Sequence, residues 1–204
     1  MKFISKRNEV FLENNQVVKV YKNELTCQRE YDNLIFLKEQ YIKVPTVIKK
    51  EQFSLILNYI EGEPVCDVIE DFDLYKMKSL LLWIFDFHEK TGFLRGDINL
   101  RNFILTPKNE VVSVDFEEEF VSGEFEIDLG KMFAFIAFYY PEFSLKKLEI
   151  TRLMVNLVIN HRYDFVKIKE YFAQECDLIV KRRNISPKYY DDAIEFFNQC
   201  KEKF

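Results

Sequence analysis

Glycine is scarce in this chain: five of 204 residues, at positions 62, 92, 96, 123 and 130. The first sixty residues therefore cannot form a glycine-rich loop of the kind that closes backbone amides over a phosphate. Histidine is scarcer still, with only His88 and His161, which excludes a histidine-based metal cluster. Cys27, Cys66, Cys176 and Cys200 have no close pairing, so they fit reduced, buried thiols better than a zinc site or a disulfide framework. Long apolar runs are also missing. The longest, Leu80 to Phe85 and Met132 to Tyr140, fall well short of the roughly 20 residues a membrane-spanning helix needs. Met1 to Val10 carries charges throughout and no apolar signal core, and the expected location is the cytoplasm. Positive charge is in deficit, 29 basic against 34 acidic side chains for a net charge of -5. No global field gathers nucleic acid or acidic membrane, and the local basic patch Lys181, Arg182 and Arg183 reads first as a solvated helix face.

What is present is a chain that folds. Hydrophobic residues make up 48% and charged residues 31%, enough for a real core in one domain or in two small lobes sharing a cleft. The 21 phenylalanines report a dense interior. Lys2 to Lys6, Glu9 to Glu13 and Gln16 to Lys22 alternate as short antiparallel strands, with Asn14 and Asn15 as a turn that tolerates positive φ. A helical period covers Glu24 to Gln40, through Cys27, Tyr31, Leu34, Phe36 and Leu37. Thr46 to Lys49 and Phe53 to Ile60 are further strands. The polar break Glu61, Gly62, Glu63, Pro64 is the candidate hinge, dividing the chain into lobes 1-61 and 62-204. Beyond it come a helix over Asp73 to Lys90, stopped near Gly92, and a hairpin of Phe103 to Leu105 and Val111 to Phe116. Helices follow over Glu126 to Tyr140, Ser144 to Asn160, Asp164 to Lys181 and Pro187 to Lys203. Ile150, Leu153, Met154, Leu157 and Val158 mark the expected buried stripe of one of them. The fold class expected is α+β, with a small antiparallel sheet and one helix followed by a mainly helical half.

The chemistry concentrates in Gly96, Asp97, Ile98, Asn99, Leu100, Arg101, Asn102 and, on the next apolar strand, Val114, Asp115, Phe116. An aspartate, an asparagine five positions on and a second aspartate are what a magnesium-nucleotide phosphotransferase needs to hold metal and orient a hydroxyl. Asp97 would orient the acceptor hydroxyl, Asn102 would bind one magnesium, and Asp115 would bridge metal to the phosphates. Lys19, a cation flanked by Val17, Val18 and Val20, needs a partner or a phosphate. Glu30 and Glu24 are the rival partners.

The order of lysine strand, glutamate helix, hinge, Gly96-Asp97 loop with Asn102, and Asp115-Phe116 resembles the protein-kinase-like superfamily over essentially the whole chain. Phe87, His88, Gly92, then Arg95, Gly96, Asp97 is similar to the pattern of its atypical branches. These are the RIO kinases, the small kinase of the KEOPS complex, aminoglycoside and choline kinases, and lipopolysaccharide core sugar kinases. The resemblance implies a two-lobed kinase fold with ATP and Mg2+ as cofactors. It favours Glu30 over Glu24 as the ion-pair partner of Lys19, and makes Asn58, Tyr59, Ile60 and Glu61 the hinge whose backbone receives adenine. It gives Asp128 a role in steadying the catalytic loop, and leaves His88 a structural hydrogen-bonding role. The acceptor implied is a protein or small-molecule hydroxyl, with a protein partner allowed and nucleic acid not expected as a direct ligand.

The chain departs from that pattern at four places. Arg7 and Asn8 form at best a tight turn where the glycine loop would stand. Arg95 replaces the histidine before Gly96-Asp97, which puts the loop's geometry in question. Asn99 stands where typical Ser/Thr kinases carry a lysine, with Arg101 as a possible substitute. Only twelve residues separate Asp115 from Asp128, too few for an activation segment and peptide platform. Glu117 either supplements the metal site or, with Glu118 and Glu119, belongs to a solvated turn. The reading is therefore an atypical Ser/Thr protein kinase or a sugar or lipopolysaccharide kinase, with a nucleotide-binding pseudokinase or scaffold as the alternative.

Overall fold

The computed structural model describes residues 2–3 (backbone only), 8–161 and 163–200. A five-stranded antiparallel sheet, in the order β1-β2-β3-β5-β4, is built from β1 (Lys2–Phe3), β2 (Glu9–Glu13), β3 (Gln16–Val20), β4 (Val47–Lys50) and β5 (Ser54–Asn58). The β2–β3 hairpin turns at Asn14 and Asn15, with φ of 48° and 60°, in the left-handed region that asparagine tolerates better than other side chains. In β3, Lys19 lies opposite Val10 on one side and Leu55 on the other. Cross-strand partners share a face, so the lysine sits on the sheet's apolar side. Of the expected strand Lys2 to Lys6, only Lys2–Phe3 is described, and Arg7 lies outside the described residues.

Helix α1 (Glu24–Glu39) is capped by the Asn23 side chain, which accepts from the Thr26 amide at 2.8 Å. Its buried residues are Cys27, Glu30, Leu34 and Leu37, a spacing of three and four that makes one stripe. Glu30 is a member of that stripe, which aims its carboxylate inward.

The chain leaves the first sheet after Asn58 and joins a second at β6 (Glu63–Pro64), which pairs with β7 (Phe103–Leu105), itself paired with β8 (Val111–Ser113). Between β6 and β7 lie the one-turn helix α2 (Val65–Val68), a 3-10 turn at Ile69–Asp71, and α3 (Leu74–Thr91). Asp73 caps α3 and Gly92 ends it with φ of 72°, as the sequence leads one to expect. Helices α4 (Glu126–Phe138), α5 (Leu145–Ile159), α6 (Phe165–Arg183) and α7 (Lys188–Asn198) complete the described fold. Gly130 lets α4 and α6 approach closely: a Cβ there would stand 2.6 Å from the Tyr171 Cβ and 2.7 Å from the Phe172 amide nitrogen.

The phenylalanine content goes into this core. Trp83 packs on Phe87, Phe103 and Phe116, with ring centres 5.4, 5.2 and 6.4 Å away, and Phe120 joins Phe116 to Phe36 and Phe93. Among the described residues no helix is long and apolar enough to cross a membrane, and all four cysteines are unpaired and buried. The structure corrects the sequence reading in detail. β3 stops at Val20 and α4 at Phe138, and in α5 Leu153 faces solvent while Lys147, Thr151 and Val155 join Ile150, Met154 and Val158 inside. A period of 3.6 fits either stripe, and packing decides between them. The short α2 escapes a periodicity reading because four residues contain no period.

Candidate active site

Lys19 is the centre of the site. Its Nζ lies 2.7 Å from Glu30 Oε2, 2.6 Å from Asp115 Oδ1 and 2.7 Å from Glu117 Oε1. The resolved partner is thus Glu30; Glu24 lies elsewhere and accepts from Gln52 Nε2. Burial pulls the Lys19 pKa down, but Glu30, Asp115 and Glu117 together outweigh it and hold the ammonium above the ordinary lysine range. The Glu30 carboxylate is fully engaged. Its Oε2 also accepts from the Tyr21 hydroxyl at 2.6 Å, and its Oε1 accepts from the Phe116 amide at 3.1 Å.

Asp115 reaches Lys19 because β8 ends at Ser113 and the backbone then turns through the left-handed region, with φ of 67° at Asp115. Strain of this kind in a side chain other than glycine collects at functional positions. Helix α1 fixes the segment that follows: Asn33 Nδ2 donates to the Phe116 and Glu118 carbonyls at 2.9 and 3.0 Å, and Arg29 donates to that of Glu117. Burial pushes Asp115 up, but Lys19 overrides it and holds the carboxyl below its ordinary value. For Glu117, burial and the neighbouring Asp115 win against Lys19 and its pKa is raised. Glu117 is buried and also accepts from Asn8 Nδ2, so it belongs to the site and not to a solvated turn.

The catalytic-loop candidates lie beside this cluster. Asn102 Nδ2 donates to Asp97 Oδ2 at 3.0 Å, across the 3-10 turn Leu100–Asn102. Asp128, fully buried at the start of α4, accepts from the Arg95 and Gly96 amides at 2.6 and 3.1 Å and lies 2.9 Å from His88 Nε2. Arg95 does not disturb the loop. Its guanidinium is buried, donates to the Val114 and Asp115 carbonyls at 2.9 and 2.7 Å, and lies 4.2 Å from the centre of the Phe116 ring. One side chain thus ties the Asp97 loop to the Asp115 turn. Where the chain leaves the first sheet, the Asn58 amide donates to the Thr46 carbonyl at 3.1 Å and the Asn58 side chain accepts from the Thr46 amide, while Tyr59 and Ile60 are half-buried and Glu61 is exposed.

Arg101 lies over the Tyr139 ring, 5.9 Å from its centre. The basic run of α6 is consumed locally: Lys181 pairs with Asp177, Arg182 with Glu175, and Arg183 donates to the Phe138 carbonyl. Tyr21, Asn33 and Glu117 are the site residues that sequence reasoning missed or ranked low. Each carries a spacing signal: Tyr21 is two after Lys19, Asn33 is one helical turn after Glu30, and Glu117 is two after Asp115.

No protein-family model matches the sequence, and no curated protein does. Solved structures match in shape. The bifunctional kinase-methyltransferase WbdD, seen with a kinase inhibitor, is 17% identical with a TM-score of 0.58 over 94% of this chain and 49% of that one. The present chain therefore spans about half the length of WbdD. APH(2'')-IIa in complex with gentamicin is 13% identical with a TM-score of 0.56, covering 97% of this chain and 89% of that one. Choline kinase from Cryptosporidium parvum Iowa II is 12% identical with a TM-score of 0.56, covering 99% and 88%. With its antiparallel sheet and single helix followed by a mainly helical half, the chain has the protein-kinase-like fold.

Proposed function

We propose that the chain is an ATP-dependent phosphotransferase that moves the γ-phosphoryl group to a hydroxyl acceptor. The observation that carries this reading is the junction of Lys19, Glu30 and Asp115 in one ion-pair cluster, with the Asp97–Asn102 pair beside it. Phosphoryl transfer asks a protein chiefly for positioning and charge neutralisation. Lys19, oriented by Glu30, would bind the phosphates, and the backbone of Asn58, Tyr59, Ile60 and Glu61 would receive adenine between lobes 1-61 and 62-204. The acceptor oxygen bonds to the γ-phosphorus as the bond from that phosphorus to the bridging oxygen breaks. That electron pair leaves with ADP, and the acceptor proton passes to the Asp97 carboxylate.

The donor set suits magnesium. Asp115 offers a carboxylate, and Asn102, which binds Asp97 through its nitrogen, keeps its amide oxygen for a hard cation. Bound there, the ion would neutralise charge on the transferred phosphoryl group. The streptomycin-ATP complex of APH(2'')-IIa and the ADP-bound APH(2'')-Ib support a nucleotide in this fold, and four unpaired cysteines support a reducing, cytoplasmic location. The acceptor is a sugar-type small molecule or a protein serine or threonine.

A second reading, a nucleotide-binding pseudokinase, is favoured by one specific arrangement. No glycine precedes position 62, and Asn8 and Lys19 both engage Glu117. Thermal melting with ATP and Mg2+, followed by turnover of γ-labelled ATP alone and with candidate acceptors, separates the two. Stabilisation with turnover supports the kinase, stabilisation without turnover the pseudokinase, and neither in a folded protein contradicts both.

A further inference from the structure

His88 and Asp128 are buried groups that the transfer step itself does not use. Asp128 is filled with donors: its Oδ2 accepts from the Arg95 amide at 2.6 Å and lies 2.9 Å from His88 Nε2, and its Oδ1 accepts from the Gly96 amide at 3.1 Å. A carboxylate that takes two backbone amides can only accept from its third partner, so the proton between the two side chains sits on His88 Nε2. The opposite ring tautomer would aim a lone pair at the carboxylate. Gly96 has φ of 75°, in the left-handed region, and the bond from its amide to Asp128 fixes that turn one residue before Asp97.

The other ring nitrogen, Nδ1, faces Tyr163, whose hydroxyl lies 3.3 Å away. In the neutral ring a proton on Nε2 leaves Nδ1 an acceptor, and a hydroxyl can donate to it. Packing restrains both partners. Phe125 stacks on the imidazole, with centres 4.4 Å apart and planes 5° apart, and the Tyr163 ring stands at 64° to it. Tyr163 is itself buried, and its ring stacks on Phe85 at 5.1 Å. The next residue, Asp164, caps α6, and its amide donates to Glu126 Oε1 at 3.0 Å. Glu126 stands two residues before Asp128 in the first turn of α4, so hydroxyl and carboxylate are anchored to the same turn of one helix.

We propose that Tyr163 is a positioning residue for the transfer reaction. Its hydroxyl donates to His88 Nδ1, which holds the ring proton on Nε2 and keeps the Asp128 carboxylate on the Arg95 and Gly96 amides, and so sets where Asp97 stands. Tyr163 acts through His88 and Asp128 and not on the reacting atoms. The inference rests on the phosphotransfer reading for the role of Asp97 and on the hydrogen bonds between these side chains for the rest.

The test is Tyr163→Phe in the full chain, which keeps the ring and removes only the hydroxyl. Long-range 15N–1H NMR reads the imidazole rings, and with only two histidines in the chain a His161→Gln variant assigns them. At neutral pH wild-type His88 is expected to carry its proton on Nε2 alone. In Tyr163→Phe the ring signals should move toward a mixture with the Nδ1–H form, the Gly96 amide signal should move with them, and kcat should fall about tenfold while KM for ATP stays unchanged. Any of three results overturns the inference: a wild-type ring with a proton on Nδ1, ring and Gly96 signals that the variant leaves in place, or a kcat equal to that of wild type whatever the signals show. A lower melting temperature with kcat unchanged makes Tyr163 a packing residue. The phosphotransfer reading fails separately. If the wild-type protein turns no ATP over, that reading falls, while the ring tautomer and the Gly96 amide still decide whether Tyr163 sets the loop.

Discussion

Lys19 brings one positive charge into a space shared with three carboxylates, and a single substitution exposes that imbalance. Removing one partner of a buried ion pair typically costs about 3 kcal/mol or more, because the remaining charges lose their counter-ion. Lys19→Met should therefore lower stability by about 3 kcal/mol at pH 7 in denaturant titrations. The pH dependence has a definite sign. The raised pKa of Lys19 means that its contribution is full below 10.5 and is lost as pH rises through the higher folded value. The lowered pKa of Asp115 means that its contribution is present above 3.8 and disappears as pH falls through the folded value. The deficit of Lys19→Met should then narrow as pH falls through the lowered folded value of Asp115, where a charge that Lys19 neutralises is lost. A deficit independent of pH would contradict the cluster. Arg95→Met should cost about 3 kcal/mol by the same measurement, since it strands the Val114 and Asp115 carbonyls. At this scale the residues proposed for the chemistry, Lys19, Glu30, Asp97, Asn102 and Asp115, could be named from the sequence because phosphoryl transfer demands those residue types in that order. Arg95 read as a defect because its use depends on where two carbonyls fall in space.

At the scale of elements, boundaries came from local rules. Asn14-Asn15, the Asn23 and Asp73 caps and the Gly92 stop each act within a few residues, so the β2–β3 hairpin, α1 and α3 could be read directly. Elements that depend on distant partners could not. The face of α5 is chosen by its packing, and β6 exists because β7 pairs with it. Gly62 marks where this matters most: its φ is 152°, and a Cβ there would stand 2.3 Å from the Leu105 carbonyl oxygen. Gly62→Ala should therefore destabilise by about 3 kcal/mol, combining backbone strain with overpacking, and a cost below 1 kcal/mol would show that the junction between the sheets can shift. Gly130→Ala, forced against the α6 backbone, should cost about 2 kcal/mol.

Across the whole molecule, the site exists only when both halves of the chain are in place. Lys19, Tyr21 and Glu30 come from the first sheet and α1, whereas Asp97, Asn102, Asp115 and Glu117 come from the second half. Trp83 Nε1 and the Ser113 amide both donate to the Lys43 carbonyl, at 2.8 and 3.2 Å, which pins the two together behind the site. The sequence reading proposes a division at the Glu61 to Pro64 break, where alternating periodicity gives way to helical. The central claim is that this junction transfers phosphoryl groups, with Asp97 acting on the acceptor and Lys19 on the nucleotide. Single-turnover transfer from γ-labelled ATP with Mg2+, measured beside ATP affinity in wild type and Asp97→Asn, tests it most directly. The account predicts that Asp97→Asn retains ATP affinity and circular dichroism but loses at least about a hundredfold in rate. Turnover unchanged in Asp97→Asn, or a folded wild-type protein that binds ATP and never turns it over, would contradict it.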